Sequence, residues 1–177
     1  MGNIVEKCKI KVRPLFAHEM ARFIKFTEYW ICDDERIQKF RESCPVSKND
    51  NEQYWLEAFN DDDQLFYVVQ RDDQLESFIG VVKFDAMVSR LDYSIFELSY
   101  WLVPDYWKQG IGIEMVQKGL VGIQKQYHNF NNEAWASCLA KVRKNNMASI
   151  KILNRLGFQC IGEDERLYFY RLPLKGG

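Results

Sequence analysis

Residues 97–118 constrain the fold more than any other part of the chain, because they join an apolar strand to an amphipathic helix through a short loop. Residues 97–103 mix aromatic, β-branched and long apolar side chains without a helical period, which predicts a strand. Pro104 ends it because proline cannot donate to a backbone ladder. Beyond the loop, apolar residues recur at steps of three and four, which predicts a helix containing Ile111, Met115, Val116, Leu120 and Ile123.

The loop between this strand and helix, residues 106–112, has the properties of an anion site. Its two glycines, Gly110 and Gly112, remove Cβ atoms where a ligand can approach bare backbone. The backbone N–H groups at the start of a helix are unpaired and carry partial positive charge, which suits a phosphate. The predicted donors are Gln109, Gly110, Ile111, Gly112 and Ile113. A Gly-x-Gly before a helix also occurs for steric reasons alone, and this one lacks the further residues of a dinucleotide fingerprint or a P-loop.

A second motif lies at residues 142–158, where Asn146-Met-Ala-Ser149 opens a predicted helix and Leu156-Gly157-Phe158 closes it. Together the two motifs resemble the GNAT superfamily of acyl-CoA N-acyltransferases. In that family the cofactor loop has the form Gln/Arg-x-x-Gly-x-Gly/Ala, and the later helix opens with Asn-x-x-Ser and ends with Leu-Gly-Phe. Trp107 stands at the first loop position here. The sequence Tyr-Trp-x-x-Gly resembles the branch of ribosomal-protein N-terminal (Rim-type) and spermidine acetyltransferases.

The order of the predicted elements suits a single mixed α+β domain over residues 1–177. Predicted strands cover residues 8–12, 65–70, 78–84, 97–103, 134–142, 158–161 and 167–172, and predicted helices cover residues 17–30, 33–43, 52–59, 111–123 and 147–156. Residues 45–51 and 86–92 are expected to be connections, Gly80 to mark a bulge, Asp33 or Asp34 to cap the second helix, and Gly157 to end the last.

These elements predict a largely antiparallel sheet with helices on both faces and one parallel step around the loop-bound helix, since a parallel crossover needs a helix between its strands. The GNAT resemblance implies in addition that the parallel pair splays apart and that the pantetheine arm of the cofactor enters the gap. The resemblance covers residues 8–172 as a pattern of elements and residues 97–158 in its specific motifs.

Composition excludes several classes of function. An apolar content of 47% is enough for one core, and 24 basic against 25 acidic residues without a basic run argue against a nucleic-acid partner. No apolar stretch approaches the ~18 residues of a membrane span and no leader is evident, so we expect a soluble cytoplasmic protein without a membrane partner. Five scattered cysteines and two histidines predict reduced thiols and no metal site.

The resemblance implies acetyl-CoA as co-substrate, with its pantetheine running back along the strand at Tyr100, Trp101 and Leu102. It also implies contacts from Trp107, Lys108, Asn146 and Ser149. Each residue has a plainer alternative. Trp101 is expected in the core, Lys108 is compatible with simple solvation, Asn146 with a helix N-cap, and Ser149 with an ordinary first-turn residue. Asn145 leaves the register of the asparagine contact open by one residue.

Glu97 and Ser149 are the candidate catalytic residues. A primary amine with a pKa near ~8 to ~10.4 is mostly protonated at neutral pH, so transfer benefits from a base, and Glu97 on the strand is the first choice. An equal alternative is a solvated carboxylate at the strand end. The tyrosine that GNAT proteins often place seven residues beyond the motif asparagine, as an acid for the departing thiolate, is Leu153 here; Ser149 remains as a donor to sulfur.

The acceptor is expected to be a primary amine: a small amine such as a polyamine, an aminoglycoside, or a peptide or protein N-terminus. Residues 28–35 combine acidic and aromatic side chains, which suits a cationic amine but is also typical of a helix cap with a solvated face. A contrasting hypothesis, favoured by Leu153, is a non-catalytic module that senses acyl-CoA or binds a protein. Either form is expected to be a monomer or homodimer.

Overall fold

The computed structural model describes residues 8–32, 34–38, 48–89, 93–130 and 135–174. Within these ranges seven strands form one sheet in the order β1-β2-β3-β4-β5-β7-β6. The strands are β1 (Ile10–Pro14), β2 (Gln64–Arg71), β3 (Gln74–Ser89), β4 (Tyr93–Leu102), β5 (Trp135–Arg143), β6 (Gln159–Glu163) and β7 (Leu167–Leu174). The β4–β5 pair is parallel and the other described pairs are antiparallel.

Helices cover both faces of this sheet. They are α1 (Met20–Thr27), α2 (Glu35–Gln38), α3 (Lys48–Phe59), α4 (Ile111–Phe130) and α5 (Met147–Arg155). One core cluster joins α4 and α5 to the sheet through residues such as Met115 and Leu153, and a second joins α1 and α3 to the opposite face through Phe23 and Trp55. The predicted mixed α+β class with helices on both faces is therefore confirmed.

The two parallel strands separate within the sheet. Their pairing runs only from Tyr93 opposite Trp135 to Glu97 opposite Leu139. Beyond that point β4 stays paired with β3 as far as Leu102, and β5 stays paired with β7 as far as Arg143. Each strand thus keeps its outer partner while a gap opens between them, which is the splayed parallel pair that the resemblance implied.

Two expected connections are partly regular structure. Helix α3 begins at Lys48, so residues 48–51 are helical and not a loop, while residues 45–47 lie outside the described ranges. The polar Asn51 is 1% exposed and accepts a hydrogen bond from Trp55 Nε1 at 2.9 Å. Likewise β3 extends to Ser89 because it continues to pair with β4, so the expected connection at 86–92 is wrong for residues 86–89. Residues 90–92 lie outside the described ranges.

Two helix ends and one bulge lie where they were expected. Asp34 caps α2, since its Oδ1 accepts from the Arg36 N–H at 2.9 Å; Asp33 and residues 39–43 of that predicted helix lie outside the described ranges. The register of β2 and β3 shifts beside Gly80, which confirms the bulge. A Cβ on Gly80 would lie 2.7 Å from the Trp101 carbonyl oxygen, so the close strand approach requires glycine. Gly157 ends α5 at φ 85°, as predicted.

Candidate active site

A cavity of about 530 Å³ lies where β4 and β5 separate. Its walls are the end of β4, the loop that follows, the first turn of α4 and the exposed side of α5. Its size falls in the usual range for a small-molecule site. Of the residues predicted to bind the cofactor, the cavity is lined by Tyr100, Trp101, Leu102, Trp107, Lys108, Gly110, Gly112, Ile113, Asn146 and Ser149.

The loop that begins this cavity is fixed by hydrogen bonds of its own. Trp107 Nε1 donates to the Leu102 carbonyl oxygen at 2.7 Å, and the Gln109 side-chain amide donates to the Asp105 carbonyl oxygen at 2.9 Å. Lys108 and Gly110 have φ angles of 60° and 79°, in the left-handed region. The side chains of Gln109 and the fully buried Ile111 thus serve the loop and the core, and neither lines the cavity.

The two glycines of the loop have different roles. A Cβ on Gly110 would meet no atom within 4 Å, so the backbone there is open to a ligand and the conformation alone selects glycine. A Cβ on Gly112 would lie 2.9 Å from Ile152 Cδ1. The expectation that both glycines leave space for a ligand is therefore correct for Gly110 only. At Gly112 the missing side chain lets α4 pack closely against α5.

The outer part of the cavity is electropositive. The first helical hydrogen bond of α4 runs from the Glu114 N–H to the Gly110 carbonyl oxygen at 3.4 Å, so the N–H groups of residues 111–113 precede the helical ladder. Lys108, Lys151 and Arg155 also line the cavity. The two residues on α5 were missed in the sequence, although their spacing of four residues places them on one helix face. Amides and cations together favour an anionic ligand.

The edge of β4 that faces the gap offers backbone groups. Successive residues of a strand present their peptide groups to opposite edges, and the Val103 N–H donates to the Ile79 carbonyl oxygen on the β3 side at 2.8 Å. The N–H and carbonyl groups of Tyr100 therefore face the gap. The Trp101 side chain packs on the other face of the sheet, with its ring centroid 6.1 Å from that of Trp55, as the core alternative predicted.

The start of α5 forms the inner wall of the cavity. Asn146 is the N-cap, since its Oδ1 accepts from the Ser149 N–H at 3.2 Å. Asn145 lines the cavity as well. Ser149 Oγ forms a short hydrogen bond with Tyr100 Oη, and burial raises the pKa of Tyr100 to about 12 although this hydrogen bond acts in the opposite direction. Leu153, one turn later, is 1% exposed in the core.

Glu97 lies on the opposite face of β4 from Tyr100, because the two residues are three positions apart on a strand whose side chains alternate between faces. It is the last β4 residue paired with β5, in the middle of the strand and not at its end. Its side chain is 18% exposed, and its Oε2 accepts from Lys141 Nζ at 2.8 Å. Asp85 lies directly across from Glu97 on β3 and forms its own ion pair with Lys83 at 2.7 Å.

The acidic and aromatic segment at residues 28–35, which was predicted to suit a cationic amine, is only partly described. Residues Glu28–Cys32 form a π-helical turn in which Tyr29 is 64% exposed and contacts the edge of Trp30. Asp34 is engaged as the cap of α2 and by the Arg36 guanidinium at 2.7 Å. This carboxylate therefore has the plainer of its two predicted roles.

Metal-ligand groups and membrane-spanning helices are both absent from the described residues. Across 8–32, 34–38, 48–89, 93–130 and 135–174, no three or more His, Cys, Asp or Glu side chains are grouped as metal ligands. In the same ranges, none of the helices combines the length and the apolar character that a bilayer crossing requires.

The sequence profile described as acetyltransferase (GNAT) domain matches residues 9–159. The chain belongs to the GNAT acetyltransferase family. That family uses acetyl-CoA, and the matched range spans the sheet gap, the α4 loop and all of α5. No curated protein sequence gives a significant match.

Solved structures share the GNAT fold at low sequence identity. A GNAT acetyltransferase from Streptococcus pneumoniae is 13% identical, with a TM-score of 0.68 over 94% of this chain and 100% of that one. Ribosomal-protein-S5-alanine acetyltransferase from Vibrio fischeri is 16% identical, with a TM-score of 0.72 over 94% and 93%. Spermidine N-acetyltransferase from Vibrio cholerae, solved with CoA and spermine, is 13% identical, with a TM-score of 0.66 over 94% and 96%.

Proposed function

We propose that this GNAT protein transfers an acetyl group from acetyl-CoA to a primary amine by direct attack of the amine on the thioester. The observation that carries the proposal is the cavity between β4 and β5. It begins at an electropositive turn with bare backbone at Gly110 and ends at two hydroxyl groups beside the point where the strands rejoin. A long ligand with an anionic end and a reactive end fits this polarity.

The residues present fit CoA at each part of the cavity. The α4 amides at residues 111–113, with Lys108, Lys151 and Arg155, suit its phosphates, and Gly110 leaves the turn open to them. The N–H and carbonyl groups of Tyr100 can pair with the pantetheine amides as a neighbouring strand would. Trp107 contributes by fixing the loop through the Leu102 carbonyl oxygen, which assigns it a supporting role.

Glu97 and the hydroxyl pair act from opposite faces of β4. In the proposed reaction, the amine nitrogen forms a bond to the carbonyl carbon while its proton passes to Glu97, directly or through water. The C–S bond then breaks, its electron pair moves onto sulfur, and CoA departs as the thiolate. Lys141 orients the Glu97 carboxylate through Oε2 at 2.8 Å. Ser149 lies on the side of the departing sulfur.

The acceptor in this proposal is a small amine, an aminoglycoside or a peptide N-terminus. The face of the sheet around Glu97 carries both signs of charge, since Asp85 and Glu97 are paired with Lys83 and Lys141. Solved GNAT proteins named for spermidine and for a ribosomal-protein alanine support both a small amine and a protein amine as candidates.

The test is release of CoA from acetyl-CoA in the presence of spermidine, an aminoglycoside or a peptide with a free N-terminus. Turnover with one of these amines is expected, and Glu97→Gln should lower kcat at neutral pH by at least ~100-fold, the lower range for loss of a general base. Asp73→Asn is the matched control, because Asp73 is a carboxylate in an exposed ion pair with Arg71 at 2.6 Å, away from the cavity. Its kcat should match the wild type.

Two results would count against the proposal: the first would contradict the transfer reaction, and the second would contradict only the role of Glu97. Binding of acetyl-CoA without turnover on any amine would favour the non-catalytic sensor or interaction module. Full activity in Glu97→Gln with the identified amine would remove Glu97 from the mechanism, although the transfer reaction itself would stand.

A further inference from the structure

Two hydroxyl groups, on Tyr100 and Ser149, meet at the inner end of the cavity. Tyr100 extends from β4, and its Oη forms the short hydrogen bond with Ser149 Oγ in the first turn of α5. Both residues line the cavity, and the Asn146 cap holds the Ser149 N–H at 3.2 Å. The pair is thus held from the two elements on either side of the gap.

The chemistry of the two groups sets the direction of this hydrogen bond. The oxygen of a phenol is a poorer acceptor than that of an alcohol, because its lone pair is delocalised into the ring, and its proton is the more acidic. Burial keeps Tyr100 protonated, with a pKa raised to about 12. Tyr100 therefore donates and Ser149 Oγ accepts. A serine hydroxyl has a single proton, so the proton of Ser149 points away from Tyr100.

We propose that Tyr100 is a positioning residue that aims the Ser149 proton at the sulfur of CoA. This inference rests on the proposed function of the cavity. As the C–S bond breaks, its electron pair moves onto sulfur, and the hydrogen bond from Ser149 strengthens as charge develops there. Neither hydroxyl loses its proton. The thiolate leaves as the anion, and after release it takes a proton from water.

The position of Tyr100 explains how the chain supplies a phenol to this end of the cavity. Leu153 has no polar side-chain atom and belongs to the core, so the helix itself brings only the Ser149 hydroxyl to its first turn. The phenol comes from the facing strand and acts through that serine.

The direct test compares the affinities of CoA and desulfo-CoA, in which hydrogen replaces the thiol, by titration calorimetry at pH 7 and 9.5. A much larger fraction of the CoA thiol is ionised at the higher pH than at pH 7. Lys108, Lys151 and Arg155 line the same cavity and meet the same phosphates in both ligands, so the ratio of affinities isolates the sulfur. At pH 9.5, Tyr100→Phe and Ser149→Ala should each lower this ratio by about tenfold, as expected for loss of a hydrogen bond to a charged group.

Tyr67→Phe is the matched control. Tyr67 is another buried tyrosine of the same core cluster with a pKa raised to about 12, and its Oη donates to Gln126 Oε1 at 3.1 Å outside the cavity. The ratio should be unchanged in this variant. The double variant of Tyr100 and Ser149 should lose no more than either single one, because both act through one hydrogen bond to sulfur.

The outcomes separate this inference from the proposed function. If neither ligand binds the wild type, the CoA cavity itself is refuted and the inference falls with it. If both bind and Tyr100→Phe keeps the wild-type ratio, the positioning role is overturned while the cavity assignment stands. With an active amine, Tyr100→Phe should lower kcat and leave KM for acetyl-CoA unchanged; a change in KM alone would also overturn the inference.

Discussion

The close approach of α4 to α5 at Gly112 predicts a measurable coupling with Ile152. In Gly112→Ala the new Cβ would lie 2.9 Å from Ile152 Cδ1, which is closer than van der Waals contact allows. Overpacking of this kind costs ~1–3 kcal/mol, and the better helix propensity of alanine returns up to ~1 kcal/mol. We therefore expect the free energy of unfolding to fall by ~0–3 kcal/mol in this variant.

Ile152→Val deletes the one atom responsible for the clash. Alone it should cost ~0.5–1.5 kcal/mol, nearer the lower end because Ile152 is half-buried. The next Ile152 atom, Cγ1, lies 4.0 Å from the added Cβ, which is ordinary contact. In the valine background Gly112→Ala should then be neutral or stabilising, so the double variant should be more stable than the sum of the singles predicts by about 1 kcal/mol or more.

Urea unfolding of the four proteins, with m-values compared, measures this coupling. Acetyl-CoA affinity should change in parallel with stability. It should fall in Gly112→Ala and recover in the double variant, because separation of α4 from α5 widens the cavity. Gly110→Ala is the control: it costs stability through φ 79° with no atom within 4 Å, so Ile152→Val should not rescue it. Additivity of Gly112→Ala and Ile152→Val within ~0.5 kcal/mol would refute the packing argument.

Three further predictions concern single side chains. Lys108→Gly should raise the unfolding free energy by ~0.5–1 kcal/mol, because glycine adopts φ 60° without strain, and it should weaken acetyl-CoA binding. Lys108→Ala should weaken binding to the same extent without raising the unfolding free energy. Equal unfolding free energies for the two variants would contradict this prediction. Arg155→Ala should lower acetyl-CoA affinity roughly two- to tenfold and make that affinity less dependent on salt. Lys125, an exposed cation of α4 outside the cavity, is the control, and Lys125→Ala should change neither quantity. The hydrogen bond from Arg13 lowers the pKa of Glu19 from 4.5 to about 2, so the stabilisation from this carboxylate is present above pH 4.5 and lost as the pH falls towards 2; acid titration of Glu19→Gln should show no such loss.

The fold was predictable where one physical signal dominated. The strand, glycine loop and helix around residues 97–118 combine an apolar run, a proline stop and a three–four period, and each appears in the structure. The strand begins four residues earlier than predicted, at Tyr93, and the helix continues seven residues further, to Phe130. The signal failed where tertiary pairing overrides local composition. Asn51 is polar and looks like a loop residue, but its amide is buried against Trp55. Residues 86–89 look like a connection, but they continue the ladder with β4.

The parts of the candidate site that local motifs encode were predictable, and the parts that depend on contacts between separate elements were less so. The loop amides and the Asn146 cap follow from local motifs. The face of β4 that carries Glu97 does not, because both faces of a central strand are covered and apolar alternation is weak there. The cations of α5 and the contact of Tyr100 with Ser149 depend on how α5 packs beside the gap, which no spacing within one segment encodes.

Amide hydrogen exchange with and without saturating acetyl-CoA tests most directly whether the α4 turn and the β4 edge hold the cofactor. The N–H groups of residues 111–113 precede the helical ladder, so they should exchange rapidly in the free protein. Acetyl-CoA should slow exchange in this turn and at Tyr100. Unchanged exchange at these amides under saturating acetyl-CoA would contradict the account.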